Sequence, residues 1–360
     1  MPAMLDVPAH LLPLQSRLAD AAAAVHLRLA RELASDIPAV NRLCRHLERY
    51  HGKMLRPALV FLCGWAAAAP EAPAGPPPEA DLPIADPHLG LATVCEMIHV
   101  ATLVHDDVLD DADTRRGGVT VNALRGNEAA VILGDFLFSA AYRLCSSLGD
   151  PDAAVAIAQC GMTLCAGELL QLDHRLDYSI PEDTYFGIVE RKTASLIATA
   201  CRLGARASGA PAAVQDALHR FGLRLGVAFQ IQDDLLDLTG LQSVVGKPMG
   251  KDVEKGKLTL PLIHHLAAAQ PERRARTLRL IDDMTPQPPQ APLPTQAHAD
   301  APPHLDALRA AMRQTDSIAH ARAVAADLVE RAKADLAALP DNAPRRLLAV
   351  MADAVITRAV

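Results

Sequence analysis

Aromatic residues are scarce: six Phe, four Tyr and one Trp make 3% of 360 residues, and runs of β-branched residues are few. That scarcity excludes a sheet-built core; half the residues are apolar, Ala and Leu dominate, and amphipathic helices must supply the packing, so the chain reads as all-α. No CxxC pair occurs. Cys44, Cys63, Cys95, Cys145, Cys160, Cys165 and Cys201 sit mostly in apolar helical patterns, which excludes a disulfide framework and suits free thiols in a reducing compartment. Basic residues form no stripe, and the formal net charge is −7. Nothing suggests a nucleic-acid surface, so any phosphate binding is local. No uninterrupted apolar run reaches the roughly 18 residues of a spanning helix, and "MPAMLDVPAHLLPLQ" has no basic leader. The expectation is a soluble, cytoplasmic protein with no transmembrane segment.

No internal repeat of fixed period is present. Two Pro-rich stretches, 70–87 and 285–303, read as surface loops, because repeated Pro removes backbone donors and disfavours helix. Helical periodicity covers about 89–109, 127–148, 151–172, 182–208, 212–238, 258–269, 304–338 and 341–359, with breaks such as "DADTRRGG", "GDPD" and "SGAP". Motifs on both sides of the first Pro-rich loop work together, so residues 1–360 read as a single domain.

What the chain does have is concentrated acid. "DDVLD" carries Asp106, Asp107 and Asp110; at about 100° per residue 106 and 110 share a helical face, with 107 about 60° away. Converging carboxylates are costly unless a cation neutralises them. With 30 Asp in 360 residues, chance supplies roughly 0.2 copies of this spacing. A second copy, "DDLLD" with Asp233, Asp234 and Asp237, lies in another apolar helical run. Carboxylate oxygens with room for water and substrate phosphates suit Mg²⁺, so the pair implies Mg²⁺ carrying a polyphosphate.

Cations recur at short remove. "HGKMLRP" offers Lys53 and Arg56 at i, i+3, which one helical turn would place together. "TRRGG" offers Arg115 and Arg116 in a Gly-ended turn, and Lys192, Lys247, Lys251 and Lys257 follow. Any one of these alone is more often an ordinary surface residue. His99, seven residues before Asp106, points within about 20° of it on the same helix.

In this order "GKMLRP", "EMIHVATLVHDDVLDDADTRRG", "GNEAAVILGDFLF", "AGELLQL", "ERKTASL", "FQIQDDLLD" and "GKPMGKDVEKGKLTLPLI" resemble the trans-isoprenyl diphosphate synthases, the polyprenyl synthetase family, from about residue 40 to the C-terminus. The resemblance implies antiparallel helices around a deep central cavity, a homodimer, and three Mg²⁺ per site. By the same resemblance Asp106, Asp107 and Asp110 ligate metal on one side of an allylic diphosphate, with Asp233 and Asp237 on the other and Asp234 in the catalytic set. Arg115, Lys192, Gln230 and Lys257 contact the allylic substrate, with Lys247 and Thr193 as further members. Lys53, Arg56, His99 and Arg116 hold isopentenyl diphosphate. Asp111 and Asp113 cap or solvate the helix end.

Family members with short products resemble one another in bulky aromatics just before the first motif. Here Ala101 and Thr102 are small, which implies an open channel and a long-chain product, with Phe138 or Tyr142 as alternative floors. A shorter farnesyl or geranylgeranyl product is the runner-up. A terpene cyclase would replace the second Asp triplet and lack the isopentenyl cradle, and a non-catalytic partner subunit would lose a triplet. A Ca²⁺-binding structural protein would need a loop of alternating oxygen ligands. One departure stands out: His51-Gly52-Lys53-Met54 occupies the place where the family usually shows two glycines and then Lys-Arg.

Overall fold

Proline marks where helices begin: it occupies the first or second position of eight of them, where a missing N–H costs nothing. The computed structural model describes residues 7–50, 52–68, 81–240, 249–284 and 303–357. In chain order the helices are α1 (Leu12–Glu32), α2 (Pro38–His46), α3 (Leu55–Ala67), α4 (Asp86–Leu109), α5 (Val121–Arg125), α6 (Asn127–Ser147), α7 (Pro151–Asp173), α8 (Glu182–Val189), α9 (Ser195–Ala207), α10 (Ala212–Thr239), α11 (Lys251–Glu254), α12 (Leu260–Ala268), α13 (Pro271–Met284), α14 (Pro303–Arg313), α15 (Ser317–Asp335) and α16 (Ala343–Thr357). Among the described residues the only sheet is a hairpin of β1 (Thr114–Arg115) and β2 (Gly118–Val119), with Arg115 opposite Gly118. The fold class is all-α, as expected.

Three differences from the sequence reading have physical causes. The period over 182–208 is interrupted: residues Glu190–Ala194 form a π-helical turn between α8 and α9, which a pattern of apolar positions does not betray. The period over 304–338 splits into α14 and α15, with Asp316 at φ 53 turning the chain. Of the Pro-rich stretches, 70–80 and 285–302 lie outside the described residues, and the end of the first runs into α4 at Asp86. Leu82 is buried, its carbonyl accepts from Arg17 Nε at 2.7 Å, and Pro83 O accepts from Trp65 Nε1 at 2.8 Å.

The described chain forms two compact units. Unit 1 comprises residues 1–163, 195–223 and 332–352; unit 2 comprises 164–194, 224–331 and 353–360. In unit 1, α4 packs against α6 and α3, and α3 against α9. Leu59, Val60, Phe61 and Leu62 of α3 are fully buried, each side chain contributing about 1.5–3 kcal/mol of transfer free energy. Gly204 lets α9 approach α3 closely, since a Cβ there would collide with the Val60 carbonyl.

Unit 2 has its own apolar cluster, in which Leu238 of α10 meets Val253 of α11, Leu262 and Leu266 of α12, Ile281 of α13 and Leu305 and Leu308 of α14. It fixes the end of α10, where the second acidic motif lies. The seven cysteines are free and five are buried. Three helices, α4, α6 and α7, are long and apolar enough to cross a membrane by length and composition. In α4 that apolarity is used internally, with 72% of the window buried, against 44% in α6 and 33% in α7.

Candidate active site

The first acidic motif closes α4. Asp107 is 1% exposed, whereas Asp106 and Asp110 are half-buried. Tyr50 Oη donates to Asp107 Oδ2 at 2.7 Å; Arg115 donates to Oδ1 through Nε at 2.8 Å and Nη2 at 2.7 Å. The Arg115 guanidinium also lies over the Tyr50 ring, 5.8 Å from its centroid. Tyr50 Oη in turn accepts from the Val121 backbone at 3.2 Å. Burial and the Asp107 carboxylate raise the Tyr50 pKa, so the phenol stays a donor. Both Asp107 oxygens are therefore engaged by protein.

The turn that follows is built by conformation. Arg116 and Gly117 have φ of 50° and 75°, the pair of left-handed residues that a two-residue hairpin turn demands. This swings the Arg116 guanidinium back onto the Tyr50 carbonyl and over Gly52, where an added Cβ would lie 2.5 Å from Arg116 Nη2. Burial, then Arg115, lowers the Arg116 pKa.

Arg56 lies in the first turn of α3, and its Nε is buried with no hydrogen-bond partner. Burial lowers its pKa, and the Glu96 carboxylate, 2% exposed on α4, opposes that shift. Lys53 is exposed and precedes α3. The helical-turn argument for Lys53 and Arg56 therefore fails, because Met54 at φ 53 breaks the helix between them. His99 is half-buried on α4, with its carbonyl accepting from Thr102 Oγ1 at 2.8 Å.

Ala101 is fully buried and Thr102 half-buried on the same helix. Phe138 on α6 packs against His105, centroids 6.0 Å apart, while the Tyr142 hydroxyl rests on Gly161, where a Cβ would lie 2.7 Å from it.

Unit 2 repeats the design on α10. Asp234 is 5% exposed; Tyr185 Oη donates to its Oδ2 at 2.7 Å and Gln230 Nε2 to its Oδ1 at 2.8 Å. Thr193 Oγ1 donates to Gln230 Oε1 at 2.9 Å. Burial, reinforced by Asp252, pushes the Asp234 carboxyl well above its ordinary range. Asp233 is exposed and Asp237 half-buried. Asp237 accepts from the backbone N–H groups of Lys251 and Asp252, each at 3.2 Å, which tucks α11 against α10. Burial and then the Asp252 charge push Asp237 up to about 6.

Lys192 stands on the π-helical turn, ion-paired to Glu168 and donating to Gln171 Oε1 at 2.9 Å. Gly167 on α7 makes room for that turn: a Cβ there would lie 2.6 Å from Lys192 N. Lys192, Thr193, Gln230, Asp234, Asp252 and Lys257 together line a cavity of about 120 Å³ within unit 2. Lys251 reaches Glu254 instead.

Four residues expected around an allylic diphosphate (Lys192, Thr193, Gln230 and Lys257) thus meet in one cavity with Asp234. Arg115 belongs to unit 1, and Lys247 lies outside the described residues. Asp113 acts through its carbonyl, which accepts from Thr120 N at 3.0 Å, and Asp111 bends the chain at φ 46. Among the described residues, the three carboxylates of neither motif converge to within 4.8 Å as a set.

Sequence reasoning passed over Tyr50, Glu96, Gln171, Tyr185 and Asp252. Two of the chain's four tyrosines hold the middle acids of the two motifs, and that rarity was the available signal.

A family model described as "Polyprenyl synthetase" matches residues 37–291. "Heptaprenyl diphosphate synthase component 2" of Geobacillus stearothermophilus is 34% identical over 333 residues, 92% of this chain and 94% of the relative. Among solved structures, a decaprenyl diphosphate synthase from Rhodobacter capsulatus matches with TM-score 0.82 and 32% identity, covering 96% of this chain and 98% of that one. A polyprenyl synthase from Caulobacter crescentus CB15, complexed with calcium and isoprenyl diphosphate, matches with TM-score 0.82 and 31% identity, covering 97% and 98%.

Proposed function

The chain belongs to the polyprenyl synthetase family, and from that premise we propose that it is a trans-prenyltransferase. It condenses isopentenyl diphosphate with an allylic diphosphate, head to tail, to give a long-chain polyprenyl diphosphate. The observation that carries this reading is the unit 2 cavity, where Lys192, Thr193, Gln230 and Lys257 surround Asp234 beside Asp233 and Asp237.

The donor chemistry fits Mg²⁺. Exposed or half-buried Asp106, Asp110, Asp233 and Asp237 offer hard oxygens, and the raised pKa of Asp237 marks a carboxylate whose ionised form a cation would relieve. Mg²⁺ held by such carboxylates would supply charge that neutralises a diphosphate leaving group, and three ions are the number this reading assigns. Asp107 serves the same end as an anchor, since Tyr50 and Arg115 take both its oxygens; as a direct ligand it would first have to exchange one of them.

The remaining steps belong to the chain itself. Lys192 and Lys257 add positive charge where the leaving diphosphate accumulates negative charge, and Gln230 and Thr193 orient it. The allylic C–O bond ionises, the double bond of isopentenyl diphosphate attacks the cation, and loss of a proton completes a five-carbon step. Arg56, Arg116, Lys53 and His99 hold the second diphosphate; Arg56 Nε is a buried donor awaiting an acceptor. Apolar walls exclude water that would quench the cation. Small Ala101 and Thr102 leave room for a long tail, which accords with the hepta- and decaprenyl names of relatives.

Residues 1–360 act as one catalytic domain in this reading, and two copies pair through apolar side chains left exposed in unit 1: Val131 and Ile132 of α6, Val155 and Met162 of α7. Buried free thiols suit the cytoplasm. The test is diphosphate release from isopentenyl diphosphate plus an allylic primer. Mg²⁺-dependent release abolished by a chelator supports the proposal; release by neither the chain alone nor its mixture with a second component overturns it.

A further inference from the structure

We propose that Glu182, His264 and His320 form a binding site for a divalent first-row transition cation, with Zn²⁺ the best match, separate from the carboxylates of the two acidic motifs. The three residues come from different stretches of unit 2: the first turn of α8, the middle of α12 and the first turn of α15. One ligand atom from each lies within 4.8 Å of the others, and among the described residues no other set of three His, Cys, Asp or Glu does so. All three are half-buried, so an ion can enter and keep a water in its remaining position.

The donor chemistry selects the metal. Two imidazoles and one carboxylate are poor partners for Mg²⁺, which prefers oxygen, but suit Zn²⁺ and its neighbours. His320 Nε2 already stands 3.1 Å from Glu182 Oε1. The His264 and His320 rings stack with centroids 4.1 Å apart and 19° between planes. A tetrahedral ion with bonds of roughly 2.0–2.1 Å needs its ligands about 3.4 Å apart, a spacing that His320 Nε2 and Glu182 Oε1 already meet, and one of the two stacked rings must turn to aim its lone pair.

The surroundings already orient one ligand. His264 Nδ1 pairs with Ser317 Oγ at 2.8 Å, and Ser317, fully buried, pairs with Thr315 Oγ1 at 2.7 Å. Thr315 Oγ1 in turn meets His265 Nδ1 at 2.8 Å. A ligating histidine whose other ring nitrogen is fixed by a hydrogen bond is the usual arrangement around zinc. Because Glu182 begins the helix that carries Tyr185, an ion here would brace the element that holds Asp234.

The experiment uses the full chain, stripped of metal and dialysed against Zn²⁺ in excess Mg²⁺, which occupies the acidic motifs. Wild type should retain a stoichiometric Zn²⁺ that His264→Ala, His320→Ala and Glu182→Gln each lose, and Zn²⁺ should raise the melting temperature of wild type alone. Ser317→Ala should weaken binding by about 10- to 100-fold. Melting in chelator checks that each variant folds; if the histidine variants do not, Glu182→Gln decides. Equal retention by wild type and Glu182→Gln would place the Zn²⁺ at thiols or Asp residues and overturn the proposal, as would no retention by wild type. A pair of histidines that merely shares protons with Glu182 would give that second result.

Discussion

Tyr50 Oη donates to Asp107 Oδ2 at 2.7 Å, and Tyr185 Oη meets Asp234 Oδ2 at the same distance. The middle acid of each motif is thus held by a phenol from a remote stretch of chain, while the outer acids Asp106, Asp110, Asp233 and Asp237 are half-buried or exposed. Asp106→Asn should therefore raise the Mg²⁺ concentration for half-maximal activity with little change in stability. Tyr50→Phe should do the reverse. It leaves Asp107 Oδ2 and the Val121 N–H unsatisfied, at a cost of about 1–3 kcal/mol, with a smaller shift in Mg²⁺ requirement. Urea unfolding and Mg²⁺ titration of the two variants separate the roles; equal Mg²⁺ shifts would mean Asp107 ligates metal directly.

Gly52 supports Arg116 by lacking a side chain. In Gly52→Ala the new methyl displaces a guanidinium tip rather than backbone, so the fold should survive and the melting temperature should hold. The KM for isopentenyl diphosphate should rise about 10- to 150-fold, the size of one charge-assisted hydrogen bond at about 1.5–3 kcal/mol, with the KM for the allylic primer unchanged. A rise in the primer's KM instead would move Arg116 to the other diphosphate.

Acid should unfold the protein through its histidines first. His88, His219, His264 and His265 all have pKa values lowered chiefly by burial. Below about pH 6.5 the unfolded chain protonates them while the folded chain does not, so the stability they confer is complete above that pH and lost as pH falls through their folded values. Melting temperature should be level above neutrality and fall as the pH drops below about 6.5. His265→Gln should remove part of that slope; a flat profile would contradict the assignment.

The acidic motifs were legible because their logic is local: Asp106 and Asp110, or Asp233 and Asp237, share a face by helical spacing alone. What holds them was not. Tyr50 and Asp107 are 57 positions apart and Tyr185 and Asp234 are 49 apart, and no periodicity links such pairs. The π-helical turn that presents Lys192 lay hidden inside an unbroken apolar period, because one extra residue per turn barely disturbs a pattern of buried positions. Lys53 and Arg56 show the opposite error, where correct spacing met a backbone that Met54 breaks at φ 53.

Ala101 is fully buried on α4, with Thr102 as its half-buried neighbour. Ala101→Phe adds a ring to a packed helix and should cost about 1–3 kcal/mol in overpacking, but its telling effect is on the product, which should lose one or more five-carbon units. An unshortened product would transfer the floor to Phe138 or Tyr142, and the double variant Phe138→Ala, Tyr142→Ala would then lengthen it.

The central claim is that this chain elongates prenyl diphosphates. Incubation with labelled isopentenyl diphosphate, an allylic primer and Mg²⁺, followed by sizing of the dephosphorylated product, tests it most directly. The expected result is label in a ladder of linear polyprenols that ends at a long-chain product. A cyclic hydrocarbon formed from primer alone, or no label incorporated with any allylic primer, would contradict it.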